Sequence, residues 1–189
     1  MVDLAEIQAA YYMVAATGVL VAAVYYALSL RTNQRNMKIQ LSTRIADKFA
    51  TKEYLSDYHD LILLNWRDVE DFKKRYDHTV NKESFVKRFS MWQTYDNLGY
   101  QVREGLVDPY IVYNATGFGC ILIWGCYKPI IDEVSRRELG PRTFENFEYL
   151  ARVMWRIAKE RGLVSPCGKG NLMYDAYWDI FEPKSTTPP

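Results

Sequence analysis

The sequence predicts an all-α protein, a single N-terminal transmembrane helix followed by a cytoplasmic helical bundle. Three observations predict it. Residues 7–30 run without a charge. Downstream, apolar residues recur every three or four positions, the period of a helix with one buried face. No stretch alternates with the two-residue period of a strand for long enough to build a sheet.

The charge-free stretch, IQAAYYMVAATGVLVAAVYYALSL, has 24 residues. As a helix it is about 36 Å long, against a hydrocarbon core of roughly 30 Å. A cleaved signal peptide would open on basic residues and end at a small-x-small site. Here Asp3 and Glu6 precede the core and Ser29-Leu30-Arg31 follows it, so an uncleaved anchor is expected over 1–30. Arg31, Arg35, Lys38, Arg44 and Lys48 follow, opposed only by Asp47. Basic residues flanking a span stay in the cytoplasm, which puts the N-terminus outside the cell membrane and the bulk of the chain inside. Tyr11, Tyr12, Tyr25 and Tyr26 lie near the ends of the span, where a ring with a polar tip suits the headgroup layer. Gly18 with Ala22, and Ala23 with Ala27, are small residues four apart that would admit a second membrane helix.

The anchor is expected to continue as a juxtamembrane amphipathic helix over 31–50, with Met37, Leu41, Ile45 and Phe49 on one face. A helical bundle follows over 51–162. Its first segment places Tyr54, Leu55, Tyr58, Leu61, Ile62, Trp66, Val69 and Phe72 at helical spacing and bends around Asn65. After a loop at 78–82, a helix over 82–104 carries the stripe Phe85, Phe89, Trp92, Tyr95, Leu98 and Val102, stopped by Gly105. Asp108 caps the next helix and Pro109 opens it. That helix is apolar on every side, and Lys128-Pro129 should kink or break it. IIDEVSRREL follows as an amphipathic piece ended by Gly140-Pro141. Thr143 caps the last helix, 144–161, which turns Phe144, Phe147, Leu150, Ala151, Met154, Trp155 and Ala158 inward and closes at Gly162. The core therefore centres on Phe85, Phe89, Trp92, Tyr95, Trp124, Phe147, Leu150 and Trp155.

Residues 109–127 form a second charge-free run, 19 positions long, barely enough to span a bilayer. Its glycines, Asn114 and Thr116 favour a helix buried on all sides of the bundle; a second span would move residues 128–189 outside. Residues 163–189 read as a linker and an aromatic, acidic tail. Tyr177, Trp178 and Phe181 are the expected anchors of a short amphipathic helix that docks on its own bundle or on a partner.

The chain holds 24 basic and 23 acidic groups; setting aside Asp3 and Glu6 leaves a net +3. A domain so close to neutral gives no footprint for nucleic acid. Cys120, Cys126 and Cys167 are sparse and lack CxxC spacing, as expected of reduced thiols. With His59 and His78 the only histidines, no HExxH motif or Cys/His cluster forms. Glu53, Asp57 and Asp60 share a helical face that could hold a cation, though such a face is more often solvated. Gly168-Lys169-Gly170 lacks the rest of a phosphate loop, Gly117-Phe118-Gly119 lies inside an apolar helix, and no serine sits in a GxSxG setting. No catalytic residue, metal site or cofactor is therefore assigned. The one polar candidate is Asp96, Asn97 and Arg103, interleaved with aromatics at a helix–helix crossing; it is either a small-ligand site or a set of buried polar partners, with Gly99 permitting close approach.

The run from Trp92 to Asp108, with Val112-Tyr113, Trp124, Lys128-Pro129-Ile130-Ile131, Arg136-Arg137 and Phe147-Glu148-Tyr149-Leu150, resembles prokaryotic domain-of-unknown-function proteins that carry one N-terminal membrane helix and a small helical cytoplasmic domain. The resemblance covers roughly residues 5–160 and excludes the tail. It implies the same topology and carries no functional residue across. The expected role is a membrane-anchored interaction or scaffold module, not an enzyme, whose partners are the lipid bilayer and a protein or a second copy of the chain. The alternatives are an accessory subunit packed into a larger membrane enzyme or transporter, and a small-ligand sensor or enzyme.

Overall fold

A computed structural model describes residues 4–163 and 178–182, and their side chains except those of Leu4, Glu6, Val134, Trp178 and Asp179. Among the described residues there is no strand. The chain divides into two compact units, Met1–Arg44 and Ile45–Pro189.

The described part of the first unit lies within helix α1, Leu4–Ala50. Of its apolar stretch from Ile7 to Leu30, all residues but Ser29 are exposed. The threonine hydroxyls of Thr17 and Thr32 bond back to the carbonyls of Met13 and Leu28 at 2.8 and 3.0 Å, which satisfies polar groups a lipid environment would otherwise leave unpaired. No break separates the apolar stretch from the helical piece expected at 31–50. The second unit takes in the end of α1 from Ile45, where Ile45 and Phe49 are buried.

In the second unit, α2 (Lys52–Leu63) starts at Thr51, whose hydroxyl accepts from Tyr54 N. The expected bend at Asn65 is a full interruption. Leu64 turns extended, and Asp68 caps a separate helix, α3 (Val69–Tyr76), through Asp71 N. Helix α4 (Lys82–Arg103) is capped by Asn81 and ends at Gly105, whose positive φ of 68° lets Leu106 N reach back to Gln101 O. Its buried face differs from the expected stripe. Ser84, Arg88, Trp92, Tyr95, Leu98, Gly99 and Val102 are buried, whereas Phe85 and Phe89 are only half-buried.

Helix α5 (Pro109–Ile130) is capped by Asp108, whose carboxylate accepts from Tyr110 N at 2.8 Å. Exposure falls at Tyr110, Asn114, Phe118 and Pro129, so most of its apolar length is covered by its own bundle. Pro129 does not break it. The helix runs to Ile130 and opens into a π-helical turn, Ile131–Ser135. Lys128 and Arg136 both grip Asp132 across it.

A short α6 (Arg136–Leu139) ends at Gly140, where φ is 106°. Thr143 does not cap the last core helix, α7 (Glu145–Glu160). Phe144 precedes it in the left-handed region, with φ 59°, a strained position for a bulky residue. Its ring is buried against Phe89 and Trp92, with centroids 5.6 and 5.5 Å apart, and that burial offsets the strain. Helices α4, α5 and α7 enclose the core. There Tyr95 stacks on Phe147 at 5.0 Å and Trp124 meets the same ring edge-on at 5.0 Å. A chain of hydroxyls, Tyr54 to Tyr95 at 2.5 Å and Tyr95 to Thr116 at 2.9 Å, ties α2, α4 and α5 together; burial pushes the Tyr95 phenol well up, so it stays a neutral hydrogen-bonding group. A final turn, α8 (Trp178–Phe181), belongs to the tail.

Candidate functional site

The crossing of α4 over the start of α7 holds most of the polar residues singled out in the sequence. An α-helix begins with N–H groups that have no partner inside it. Here one of them, Phe147 N, donates to Asp96 Oδ1 at 2.9 Å, and Asn146 Nδ2 donates to Oδ2 at 3.4 Å. Asp96 thus caps α7 from a different helix, in place of the local cap that Phe144 cannot supply. The negative carboxylate also faces the positive end of the α7 dipole. Gly99 makes the approach possible, since a Cβ there would lie 2.0 Å from the Asn146 carbonyl oxygen. Arg103 reaches the same turn, donating to Asn146 Oδ1 at 3.3 Å, and lies 3.6 Å from Glu145.

Asp96 and Arg103 therefore converge on Asn146. Asn97 does not join them; it is exposed and lines a shallow groove beside Phe89 and Gln93. The arrangement locks two helices, and its donors and acceptors are directed at one another.

The tail residues divide. Tyr177 lies outside the described residues, as does the side chain of Trp178. Phe181 is 7 % exposed and stacks on Trp155 with centroids 4.6 Å apart and planes 11° from parallel. Glu182 Oε1 accepts from Trp155 Nε1 at 3.2 Å and from Lys159 Nζ at 2.6 Å. The Lys159 ammonium pulls the Glu182 carboxyl below its usual range. In this structure the tail turn is seated on α7 of its own chain.

The carboxylates of α2 face a lysine. Lys87 Nζ lies 2.8 Å from Asp60, 3.1 Å from Glu83 and 3.6 Å from Asp57. Its hydrogen bond to Asp60 raises the Lys87 pKa and lowers that of Asp60. An ammonium thus occupies the position a cation would take, and Glu53 stands apart from it. Among the described residues no group of His, Cys, Asp and Glu is arranged to hold a metal ion. Cys120 is buried, with its thiol pKa pushed well up by burial, and Cys126 is half-buried; Cys167 lies outside the described residues. On α1, Gly18, Ala22, Ala23 and Ala27 are all exposed, and nothing lies within 4 Å of where a Cβ on Gly18 would be.

One residue escaped the sequence reading. Arg88 is 4 % exposed, with its guanidinium 4.9 Å from the Phe72 ring centroid and 5.0 Å from that of Phe85. An arginine between two phenylalanines of an apolar stripe reads as a solvated outer position. The signal that could have found it is the four-residue ladder Ser84, Arg88, Trp92, which runs beside the phenylalanines and turns out to be the buried one.

Over residues 12–155 the sequence matches the family described as Domain of unknown function (DUF4760). No curated protein and no solved structure matches the chain.

Proposed function

The chain belongs to the DUF4760 family, and we propose that this member is a membrane-anchored, non-catalytic interaction module whose helical bundle works at the cytoplasmic face. The observation that carries the reading is the state of α1. Its charge-free run from Ile7 to Leu30 is exposed at every residue but Ser29. A bare apolar helix of this length would expose far more than the few hundred Å² of contiguous apolar surface that soluble proteins tolerate. A bilayer is the cover that matches its length. The basic residues from Arg31 to Lys48 set the N-terminus outside and residues 31–189 inside.

The interaction role rests on what the bundle presents. Asp96 and Arg103 are occupied in helix packing, and Asp57, Asp60 and Glu83 surround Lys87. Of these, Asp96 and Arg103 are the groups the sequence offered to a small-ligand or enzymatic role. A partner protein or a second copy then engages through the anchor, where Gly18 and Ala22 leave room for close helix packing. The same stripe would serve an accessory subunit held in a larger membrane complex.

Extraction and mild solubilisation test the proposal. Alkaline carbonate should leave the chain in the membrane pellet, and gentle detergent should release it with a stoichiometric protein partner or as an oligomer of itself. Release by carbonate removes the anchor reading. A strictly monomeric, partner-free chain removes the interaction reading.

A further inference from the structure

Between α3, α4 and the end of α5 lies a cavity of ≈ 190 Å³, walled by Phe72, Phe85, Phe89, Trp92 and Ile130, with Arg88 in its lining. Two residues that carry buried donors, Arg88 and Trp92, belong to that lining, one helical turn apart on α4. A guanidinium carries five N–H donors, yet among the described residues Arg88 has one acceptor, Ser84 Oγ at 3.5 Å, and no carboxylate pairs with it. Trp92 is 2 % exposed, and among the described residues its indole N–H has no acceptor. Buried donors are ordinarily satisfied, and a buried charge is ordinarily paired. Burial draws the Arg88 pKa down to about 10, so the group remains a cation at neutral pH.

Asp77 favours the Arg88 cation through space, but among the described residues no carboxylate forms an ion pair with it. Asp77 also lines the cavity, and its Oδ1 lies 2.8 Å from His78 Nδ1 and accepts from Thr79 N at 3.0 Å. Lys73 is bonded to Glu70 at 3.0 Å. Glu138 is exposed at the rim.

We propose that this cavity is a binding site for a small organic carboxylate, an aromatic or branched aliphatic acid, held by Arg88 and Trp92 at its head and by the phenylalanine rings along its body. The guanidinium fork suits a carboxylate in bidentate geometry. Cavities of about 150 Å³ hold benzene, so ≈ 190 Å³ leaves room for one ring and one carboxylate. Glu138 at the rim disfavours a dianion such as a phosphate monoester. The site is independent of the membrane reading.

Calorimetric titration of the full chain in detergent at fixed ionic strength tests it, with sodium benzoate as the charged probe and benzyl alcohol as its neutral counterpart. Benzoate should bind saturably in the millimolar range or tighter, and at least about tenfold more tightly than benzyl alcohol, as the loss of a charge-assisted bond implies. Arg88→Gln should remove that preference. Trp92→Phe, which keeps a ring and loses only the donor, should weaken benzoate severalfold. If Arg88→Gln does not fold, the comparison of the two probes on the unaltered chain and on Trp92→Phe still decides. Absence of saturable benzoate binding, equal affinity for the two probes, or full-strength benzoate binding in either folded variant overturns the proposal.

Discussion

Gly99 sits where α4 passes over the first turn of α7, and the Asn146 carbonyl oxygen occupies the space a methyl group would need, 2.0 Å away. The obstacle is backbone rather than a flexible side-chain tip, so it cannot turn aside. Gly99→Ala should push the helices apart and destabilise the bundle by about 3 kcal/mol, the upper part of the range for overpacked sites. Asp96→Ala leaves the α7 end without its cap and should cost about 1 kcal/mol. Thermal or denaturant unfolding of the full chain in detergent checks both. A neutral Gly99→Ala would contradict the crossing. The residue types announced a polar, closely packed junction, and Gly99 carried that signal locally. The partners were not legible, because Phe147 lies 51 positions along the chain from Asp96 and no local pattern encodes that distance.

At the scale of elements, α4 shows where periodicity fails. Residues three apart lie only about 60° apart around a helix, so Phe85/Phe89 and Ser84/Arg88/Trp92 are neighbouring ridges. Composition favours the aromatic ridge, whereas packing buries the other. Trp124→Ala, at a fully buried core position, should cost about 3–5 kcal/mol. Phe89→Ala, at a half-buried one, should cost distinctly less; equal losses in unfolding experiments would restore the aromatic ridge to the core. Helix ends were more legible. Gly105, Asp108, Pro109 and Gly162 stand where sequence places them, since each acts through its own backbone geometry. Thr143 was misassigned because the burial of Phe144 sets that start. The tail turn adds a pH dependence. Glu182 has its pKa lowered in the folded state, first by the hydrogen bond from Lys159. Its contribution is therefore fully present above the ordinary carboxylate value near 4.5 and is lost as pH falls through the depressed folded value. Protection of the Trp155 indole N–H from hydrogen exchange should be held at pH 6 and fall on acidification through that window. In Glu182→Gln the acid-induced change should be absent; an unaltered profile would remove Glu182 from the seat.

For the whole molecule, the sequence supported the helical class, because charge-free runs and helical periods are properties of contiguous residues. It also favoured a buried place for residues 109–127, through their glycines and polar groups, and α5 is covered by the bundle accordingly. The buried Arg88 and its cavity were out of reach, since they depend on which ridge of α4 packs inward and on what α3 and α5 bring against it. The central claim is that α1 crosses a membrane with the bundle inside. Cysteine labelling with an impermeant reagent tests it most directly. The experiment uses chains in which Cys126 and Cys167 are serine, Cys120 being buried, with one new cysteine at Asp3 or at Lys74 on the exposed side of α3. The account predicts labelling at position 3 in intact cells and labelling at 74 only after the membrane is opened. Labelling at 74 in intact cells would contradict it.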